Sequence, residues 1–504
     1  MKKLCLLLAL IFLLGGCAGR ADSEQNTLPP DANAGQTEDA ASNQVPELVS
    51  FDIYAVNDLH GKLSDTQAQP GVDELSTYLK QARRENNMIL LSTGDMWQGT
   101  SESNLTGGLI VTDWMNALSF TAMTLGGHEY DWGEEQIRHN DQLAEFPFLG
   151  INVYSRRTDS RVDYCQSSVM VDIDGVQVGI IGAIGDCYSA IAPENTQDVY
   201  FQTGDVLTAL VKEEATKLRL EGADFIIYTI HDGYDQNSSG GSAMTVGRAD
   251  LASYYDTSLS DGYVDLVFEA DSHYSYVLKD EYGVYHLQAG GNNQGISHVS
   301  VLLDKTYREV YIVTAEVLAA GKYSFLEDDP VVEELLEKYA GKIASANRIL
   351  GNNNQYRNNY ALSQLVAKLY RDKGVEKWGE SYDIVLGGGY IYCRSPGYLP
   401  AGEVNYDALQ ALLPFDNQIT LCSIRGSDLI SRFLENDHYA YQIQLTAYGE
   451  SVRNNIDPEG IYYVVTDSYT SDYAYNHMTL VDTYAGDIFA RDLLADYIAA
   501  GGLE

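Results

Sequence analysis

The sequence predicts an α/β fold, because short apolar runs rich in β-branched residues alternate with helical stretches along the chain. The predicted buried strands cover residues 51–56, 88–92, 122–125, 178–184, 225–229 and 264–268. The predicted helices between them cover residues 72–86, 109–117 and 206–221. Hydrophobic residues make up 45% of the chain and charged residues 21%, which is typical of a folded globular protein.

The second half of the chain predicts a further α/β unit. Residues 299–317 indicate closing antiparallel strands, and residues 330–348 indicate an amphipathic connecting helix. A predicted helix and three predicted strands then follow, at residues 360–373, 383–386, 419–424 and 461–466. A length of 504 residues predicts two or three domains.

The charge balance excludes two classes of partner. The chain carries 32 Lys and Arg against 72 Asp and Glu, which gives a formal charge of −40. A protein that binds duplex nucleic acid needs a cationic face, and so does one held by an anionic membrane surface. We therefore expect neither kind of electrostatic binding.

The N-terminus predicts export. Lys2 and Lys3 precede an apolar run at residues 4–14, which is too short to span a bilayer but fits the core of a signal peptide. The sequence L-G-G-C at residues 14–17 resembles the bacterial lipobox, in which the cysteine is acylated. Residues 1–17 are thus predicted to be a lipoprotein signal peptide, with an ordinary cleaved signal as the alternative.

Residues 18–48 predict a flexible tether, since they are mostly Ser, Asp, Asn, Gln, Ala and Pro. We expect a membrane-anchored lipoprotein on the extracytoplasmic side, held to the membrane by its N-terminal lipid only.

Four cysteines remain beyond the leader, Cys165, Cys187, Cys393 and Cys422. Outside the cytosol they allow two disulfides in three connectivities. Because the first two lie in one half of the chain and the last two in the other, pairing within each half is the expected arrangement. None has the C-x-x-C spacing of a zinc or redox site.

Carboxylates and imidazoles follow the predicted strands. We expect the strand ends to bring these side chains to the same edge, where α/β proteins place their sites. Any one of them is compatible with a turn or cap, but the combination predicts a site for divalent metal. The candidates are Asp58, His60, Asp95, His128, Asp131, His231, Asp271 and His273.

This series resembles the metallophosphoesterase superfamily and, more closely, the bacterial periplasmic 5′-nucleotidase / UDP-sugar hydrolase family. The resemblance covers residues 49–504. It implies an N-terminal metallophosphoesterase-type α/β sandwich of mixed sheets at 49–325, a linker helix at 326–350, and a 5′-nucleotidase-type C-terminal α/β substrate-binding domain at 351–504.

The resemblance also implies roles for the polar residues. One metal would take Asp58, His60, Asp95 and His273, and the other would take Asp95, His231 and Asp271. The pair His128 and Asp131 matches the family's catalytic His–Asp pair. The cofactor would be one or two divalent ions: Mn²⁺, Zn²⁺, Mg²⁺ or Ca²⁺.

Two departures from the family pattern affect the second metal. Gly127 stands where the family has an asparagine ligand, and Asp271 stands where it has a histidine. The second site therefore loses one donor and exchanges an imidazole for a carboxylate, which favours harder ions than Zn²⁺. We expect this site to bind weakly or to stay empty.

The C-terminal half resembles the family's substrate-binding domain through G-G-G at residues 387–389, L-P-A-G-E-V at 399–404 and L-P-F-D-N at 413–417. By position, Phe415 and Tyr469 would stack on a nucleobase, Asn417 would read it, and Arg357 would bind phosphate. The family's arginine after the glycines falls on Ile391, for which Arg394 is the predicted substitute. The family's G-G-D-G-Y motif is reduced to S-D-Y at residues 471–473.

The resemblance implies an extracytoplasmic metal-dependent phosphoester hydrolase that acts on nucleotides or related small phosphorylated metabolites. The reaction would be metal-hydroxide attack, with His128 assisting and Asp131 orienting its imidazole. The alternative is a non-catalytic lipoprotein that retains the fold as a nucleotide- or metabolite-binding module or a scaffold.

Overall fold

The computed structural model describes residues 46–65, 70–191, 195–234, 251–389, 393–394, 397–430, 444–447, 456–471, 477–484 and 488–503. The predicted signal peptide and the tether up to residue 45 lie outside the described residues. Leu48 already belongs to the first strand, so the end of the predicted tether is in fact structured.

Two six-stranded mixed sheets form the N-terminal half. The first sheet is built on parallel strands whose order follows the chain, with an antiparallel hairpin on one side. Its strand order is Glu309–Ala319, Gly295–Asp304, Leu48–Val56, Met88–Ser92, Ala122–Thr124 and Phe148–Leu149. The order of the second sheet is Ser275–Lys279, Tyr285–Ala289, Leu266–Phe268, Phe225–His231, Val176–Ile184 and Ser168–Ile173.

The two sheets pack face to face over an apolar core. Phe51 of the first sheet and Phe225 of the second make an edge-to-face contact with ring centroids 6.3 Å apart. Near the carboxyl ends of the strands the sheets approach closely, because a Cβ added at Gly182 would lie 2.6 Å from the hydroxyl oxygen of Thr124. This close approach brings the loops of both sheets together.

The helices cover the outer faces of this sandwich and form the connections between its strands. Their bounds in this half are Asp73–Glu85, Ser101–Asn104, Leu109–Ala117, Gly133–Asp141, Gly204–Leu220 and Pro330–Ile343. Short 3-10 helices occupy His128–Tyr130, Asp186–Ala190, Thr257–Leu259 and Ala320–Lys322. A small three-stranded sheet comprises Ser160–Arg161, Val153–Ser155 and Val199–Phe201. Among the described helices, none combines the length and apolar character that crossing a membrane requires.

The connecting helix Pro330–Ile343 begins where the sequence predicts. Asp329 caps it by accepting the backbone N–H of Val331, and proline occupies its first turn. The hydroxyl of Tyr339 on this helix donates a hydrogen bond of 2.6 Å to Asp113 on the helix Leu109–Ala117.

The C-terminal half has its own apolar core and a five-stranded mixed sheet. The strand order is Gln444–Ala447, Ile384–Gly389, Ile461–Asp467, Ile419–Arg425 and Met478–Thr483. Two small ribbons pair Ile349–Asn353 with Gly402–Asn405 and Arg357–Asn358 with Tyr398–Leu399. The helices are Asn359–Trp378, Tyr406–Leu412, Gly426–Asp428 and Ala490–Ala499. The α/β fold class is confirmed, whereas the proposed domain boundaries stay predictions.

The predicted disulfides are wrong. Cys165, Cys187, Cys393 and Cys422 are all among the described residues, and none of them forms a disulfide. The first two cysteines are buried at different places. The thiol of Cys165 contacts the carbonyl of Gly150, whereas the thiol of Cys187 contacts the carbonyl of His231. Membership of the same half of the chain did not bring the partners together.

Candidate metal centre

The predicted ligands lie at the carboxyl ends of strands from both sheets rather than at a single sheet edge. Asp58, His60 and Asp95 follow strands of the first sheet, whereas Asp271 and His273 follow a strand of the second. The predicted strands that carry these residues divide between the two sheets, and the face-to-face packing then brings their loops together.

Five of these side chains stand on left-handed backbone. The φ angles are 49° at Asp58, 51° at His60, 55° at Asp95, 66° at Asp271 and 57° at His273. Such conformations are costly for residues with a Cβ and cluster at functional sites. The loops thus hold these residues in strained conformations at one place.

The first cluster has the donor types of a metal site. The Asp58, His60 and His273 donors lie within 4.8 Å of one another. Nε2 of His273 is 3.0 Å from Nε2 of His60 and 3.5 Å from Oδ1 of Asp58. Two imidazole nitrogens and a carboxylate facing a common point fit a divalent cation.

The second cluster adjoins the first through the shared carboxylate of Asp58. Asp58, Asp95 and His231 also lie within 4.8 Å of one another, and all three are buried. Nε2 of His231 is 3.2 Å from Oδ2 of Asp95 and 4.0 Å from Oδ1 of Asp58. This Nε2 atom has no hydrogen-bond partner among the described residues, although the side chain is fully buried. An orphaned buried nitrogen beside a carboxylate is the arrangement that a cation would satisfy.

Backbone carbonyls select the tautomer of two of these histidines. Nδ1 of His60 donates to the carbonyl of Gln98 at 3.0 Å, and Nδ1 of His231 donates to the carbonyl of Thr93 at 2.6 Å. In both rings Nε2 therefore faces the cluster, which is the orientation that metal ligation requires.

Electrostatics keep one of these rings neutral. Burial, followed by the neighbouring His273 and His128, lowers the pKa of His60 from 6.5 to about 3. The neutral imidazole is the form that binds a cation.

Glu129 holds two of the ligand-bearing loops together, although sequence reasoning did not single it out. Its buried carboxylate accepts the backbone N–H groups of Asp95 at 2.9 Å, Met96 at 2.8 Å and Gly126 at 2.7 Å. Burial and the charge of Asp95 raise its pKa from 4.5 to about 7. The signal available in the sequence was its position directly after His128.

The predicted catalytic pair forms a hydrogen bond beside the cluster. Nδ1 of His128 lies 2.8 Å from Oδ2 of Asp131, and Nε2 lies 3.9 Å from Oδ2 of Asp95. Burial opposes a charge on His128, but the carboxylates of Asp131 and Asp95 outweigh it and raise the pKa from 6.5 to about 9.

An aromatic ring from the C-terminal half lies on this histidine. The rings of His128 and Phe415 stack with centroids 5.3 Å apart and planes 19° apart. The guanidinium of Arg394 lies 4.9 Å above the same phenyl ring. His60, His273, Arg394 and Phe415 line a cavity of about 200 Å³, so this cavity joins the cluster to the C-terminal half.

The other predicted substrate residues divide into two groups. Asn417 lines a second cavity together with Phe415 and Asp131. Arg357 instead donates to Asn353 at 2.9 Å, and neither Arg357 nor Tyr469 is among the described residues that line these two cavities. Ile391 and residues 472–473 lie outside the described residues, so the predicted losses there stay predictions.

Cys187 lies beside the second cluster, although the sequence predicted it to form a disulfide. It forms a third group with His231 and Asp271, whose ligand atoms lie within 4.8 Å of one another. Burial, followed by the charges of Asp271 and Asp95, raises the pKa of its thiol well above the usual range. No sequence motif identifies Cys187 as a ligand, because it lies in a short 3-10 helix after Val176–Ile184.

A two-sheet α/β sandwich with adjoining carboxylate–imidazole clusters at its strand ends is the arrangement that the sequence resemblance to metallophosphoesterases implies. Comparison with known proteins shows which members of that superfamily the chain is similar to. No family model matches the chain. Protein UshA of Yersinia enterocolitica is 23% identical over 514 residues, covering 90% of this chain and 88% of that protein. Human 5′-nucleotidase is 25% identical over 446 residues, covering 82% and 75%.

Endonuclease YhcR of Bacillus subtilis is 26% identical over 421 residues, which are 76% of this chain. The match spans 32% of that endonuclease, or about a third of its length. Among solved structures, the 5′-nucleotidase precursor of Thermus thermophilus shares the fold with a TM-score of 0.67 at 18% identity. The alignment covers 90% of this chain and 96% of that one.

The resemblance to the 5′-nucleotidase family is confirmed in these comparisons, since the chain is similar to 5′-nucleotidases over most of its length and shares the fold of one of them.

Proposed function

We propose that the protein is an extracytoplasmic, metal-dependent hydrolase of nucleotides or related small phosphorylated metabolites. The observation that carries the proposal is the position of His128. Its ring is bonded to Asp131 on one side, faces Asp95 of the metal cluster on another, and stacks on Phe415. A phosphoryl group beside the cluster would therefore lie next to both a proton donor and an aromatic surface.

Asp58, His60, Asp95 and His273 would hold one divalent ion, and Asp95, His231 and Asp271 would contribute to a second. Bound ions of this kind supply a water of lowered pKa and positive charge beside the phosphoryl oxygens.

Side chains of the protein would donate the proton and add positive charge beside the phosphoryl group. With its pKa raised to about 9, His128 carries a proton at neutral pH and would donate it as a hydrogen bond to a phosphoryl or leaving-group oxygen. Asp131 would orient the ring. Arg394, above Phe415, would add positive charge in a chain whose net charge of −40 repels anions at long range.

The location outside the cytoplasm rests on the first residues. The signal-like run at 4–14 and the lipobox-like L-G-G-C at 14–17 support lipid attachment at Cys17, and residues 18–48 would form the tether. Metabolic labelling with a fatty acid tests this, comparing the full chain with Cys17→Ser. Equal labelling of the two would contradict lipid attachment at this residue.

The activity is tested by phosphate release from a panel of nucleotides with Mn²⁺, Mg²⁺, Ca²⁺ or Zn²⁺. We expect turnover with at least one ion, and a loss of about 10²- to 10⁴-fold in His128→Ala, the usual contribution of a general acid. Turnover unchanged by this substitution would contradict the catalytic assignment.

The second candidate function is a binding module, which the missing side chain at Gly127 and the exchange at Asp271 favour. It predicts nucleotide binding and metal binding without phosphate release under any of these ions.

A further inference from the structure

We propose that the thiolate of Cys187 is a ligand of the second metal position and replaces the side chain that Gly127 lacks. The inference deepens the proposed function and rests on it in one respect, that a divalent ion enters the cluster around Asp95 and His231.

The placement of Cys187 is the first support. Its Sγ atom, a ring nitrogen of His231 and a carboxylate oxygen of Asp271 form a group with all ligand atoms within 4.8 Å of one another. Sγ lies 3.6 Å from the carbonyl oxygen of His231, so the thiol is next to the residue that both the second and the third group share. Its side chain is 8% exposed and has no route to a disulfide in the described chain.

The space at residue 127 is the second support. Gly127 has ordinary helical backbone, with φ −67° and ψ −44°, so the backbone does not require glycine there. A Cβ added at Gly127 would lie 3.5 Å from Cβ of Cys187 and 3.6 Å from its Sγ, which is ordinary contact. The sulfur therefore borders the space into which a side chain at residue 127 would project.

The orphaned nitrogen of His231 is an independent observation. This Nε2 is fully buried, has no hydrogen-bond partner among the described residues, and lies 3.2 Å from a carboxylate oxygen of Asp95. A cation held by Asp95, His231, Asp271 and Cys187 would give it a partner.

The donor set changes which metal the site selects. Gly127 and Asp271 alone indicated hard ions such as Mg²⁺ or Ca²⁺, whereas a thiolate with an imidazole and carboxylates favours Zn²⁺ or Co²⁺. On binding, the S–H bond breaks, its proton leaves to solvent, and the sulfur lone pair bonds to the cation. No oxidation or reduction is involved.

Titration of the metal-free full chain with Co²⁺ tests the proposal, because thiolate ligation gives cobalt a charge-transfer absorption that oxygen and nitrogen ligands do not. We expect this band as the second equivalent binds. Cys187→Ser should lose the band and weaken the second ion by at least about tenfold. The matched control is Cys165→Ser, which alters a buried cysteine outside the candidate metal groups. This variant should keep the charge-transfer band and the affinity for the second ion.

A double variant separates ligand loss from misfolding. Gly127→Asn combined with Cys187→Ser should bind the second ion again without the charge-transfer band, since the amide supplies the missing donor. The proposal is overturned if the unaltered chain binds two cobalt ions without the band, or if Cys187→Ser binds the second ion as tightly as the unaltered chain. A band without phosphate release from any nucleotide would support the ligand and contradict the hydrolase.

Discussion

The carboxylate of Glu129 accepts the backbone N–H of Asp95 at 2.9 Å, so a buried glutamate fixes the loop of a carboxylate that belongs to the second candidate metal cluster. The same side chain also accepts the N–H groups of Met96 and Gly126. Glu129 does not line the cavity, so its role is to position the ligand-bearing loops.

Glu129→Gln is expected to lower the free energy of unfolding by roughly 1–3 kcal/mol, since a neutral amide cannot accept all three N–H groups as the carboxylate does. Metal affinity should fall with it, because the Asp95 loop loses its support. Chemical denaturation and calorimetric metal titration measure the two effects. The exposed Glu135→Gln is the matched control; equal effects in both variants would contradict the role.

Asp131→Asn is expected to shift the pH dependence of turnover. Burial lowers the pKa of His128, but the Asp131 carboxylate is the largest contribution in the opposite direction and helps raise that pKa to about 9. Activity that needs protonated His128 is present below this pKa and is lost as pH rises through it. Removing the carboxylate lowers the pKa, so the alkaline limb of kcat/KM should move to lower pH. An unmoved limb would show that another group titrates there.

His286 predicts a pH-dependent contribution to stability away from the cavity. It is fully buried, with Nδ1 2.7 Å from Glu269 and Nε2 3.4 Å from Asp280. Burial opposes its charge, but these two carboxylates outweigh burial and raise its pKa above 6.5. A raised histidine pKa stabilises the folded state fully below the unfolded pKa and loses this effect as pH rises through the folded pKa.

His286→Gln should therefore reduce the free energy of unfolding more at mildly acidic pH than at alkaline pH. Denaturant unfolding of both chains across this range measures the difference, with the exposed His139→Gln as control. A destabilisation that stays constant with pH would contradict the charge assignment.

Phe415→Leu tests the stacking surface. Stacking of a base on an aromatic ring contributes roughly 1–3 kcal/mol, so KM for a nucleotide should rise about 5- to 150-fold while metal affinity stays unchanged. The exposed aromatic Phe325→Leu is the control. If KM rises equally for a phosphoester without a base, the phenyl ring supports His128 rather than the nucleobase.

The sequence predicted the fold class and most residues of the candidate metal cluster, because both depend on local patterns. The strand bounds at 88–92 agree with Met88–Ser92, since an apolar run ends there at a polar turn. Asp58 and His60 directly follow a predicted strand, which indicated a site there, and the structure brings both to one cluster with His273.

Tertiary packing determines the end of one helix and the position of Cys187, which local sequence patterns did not predict. The helix predicted to end at residue 373 continues as Asn359–Trp378, because the buried Gly374 packs against Val465 where a larger side chain would not fit. Cys187 reaches His231 because the strand before it, Val176–Ile184, pairs in parallel with Phe225–His231. The spacing of Cys187 in the sequence does not indicate this contact, and the sequence instead predicted a disulfide with Cys165.

Because the net charge of −40 repels phosphate at long range, local attraction of phosphate depends on whether the second metal binds. Two divalent ions carry four positive charges, and Asp58, Asp95, Asp271 and a Cys187 thiolate carry four negative ones, so a filled centre is neutral. With a single ion and a protonated thiol, the same centre carries one negative charge and repels phosphate. Protonated His128 and Arg394 then supply the remaining local attraction.

The most direct test measures phosphate release from a nucleotide by the metal-free chain as Zn²⁺ or Mn²⁺ is added in known molar ratios. We predict little turnover up to one equivalent and a steep rise between one and two equivalents, as the second position fills. Full turnover at the first equivalent, or none at saturation, would contradict a two-metal phosphoester hydrolase.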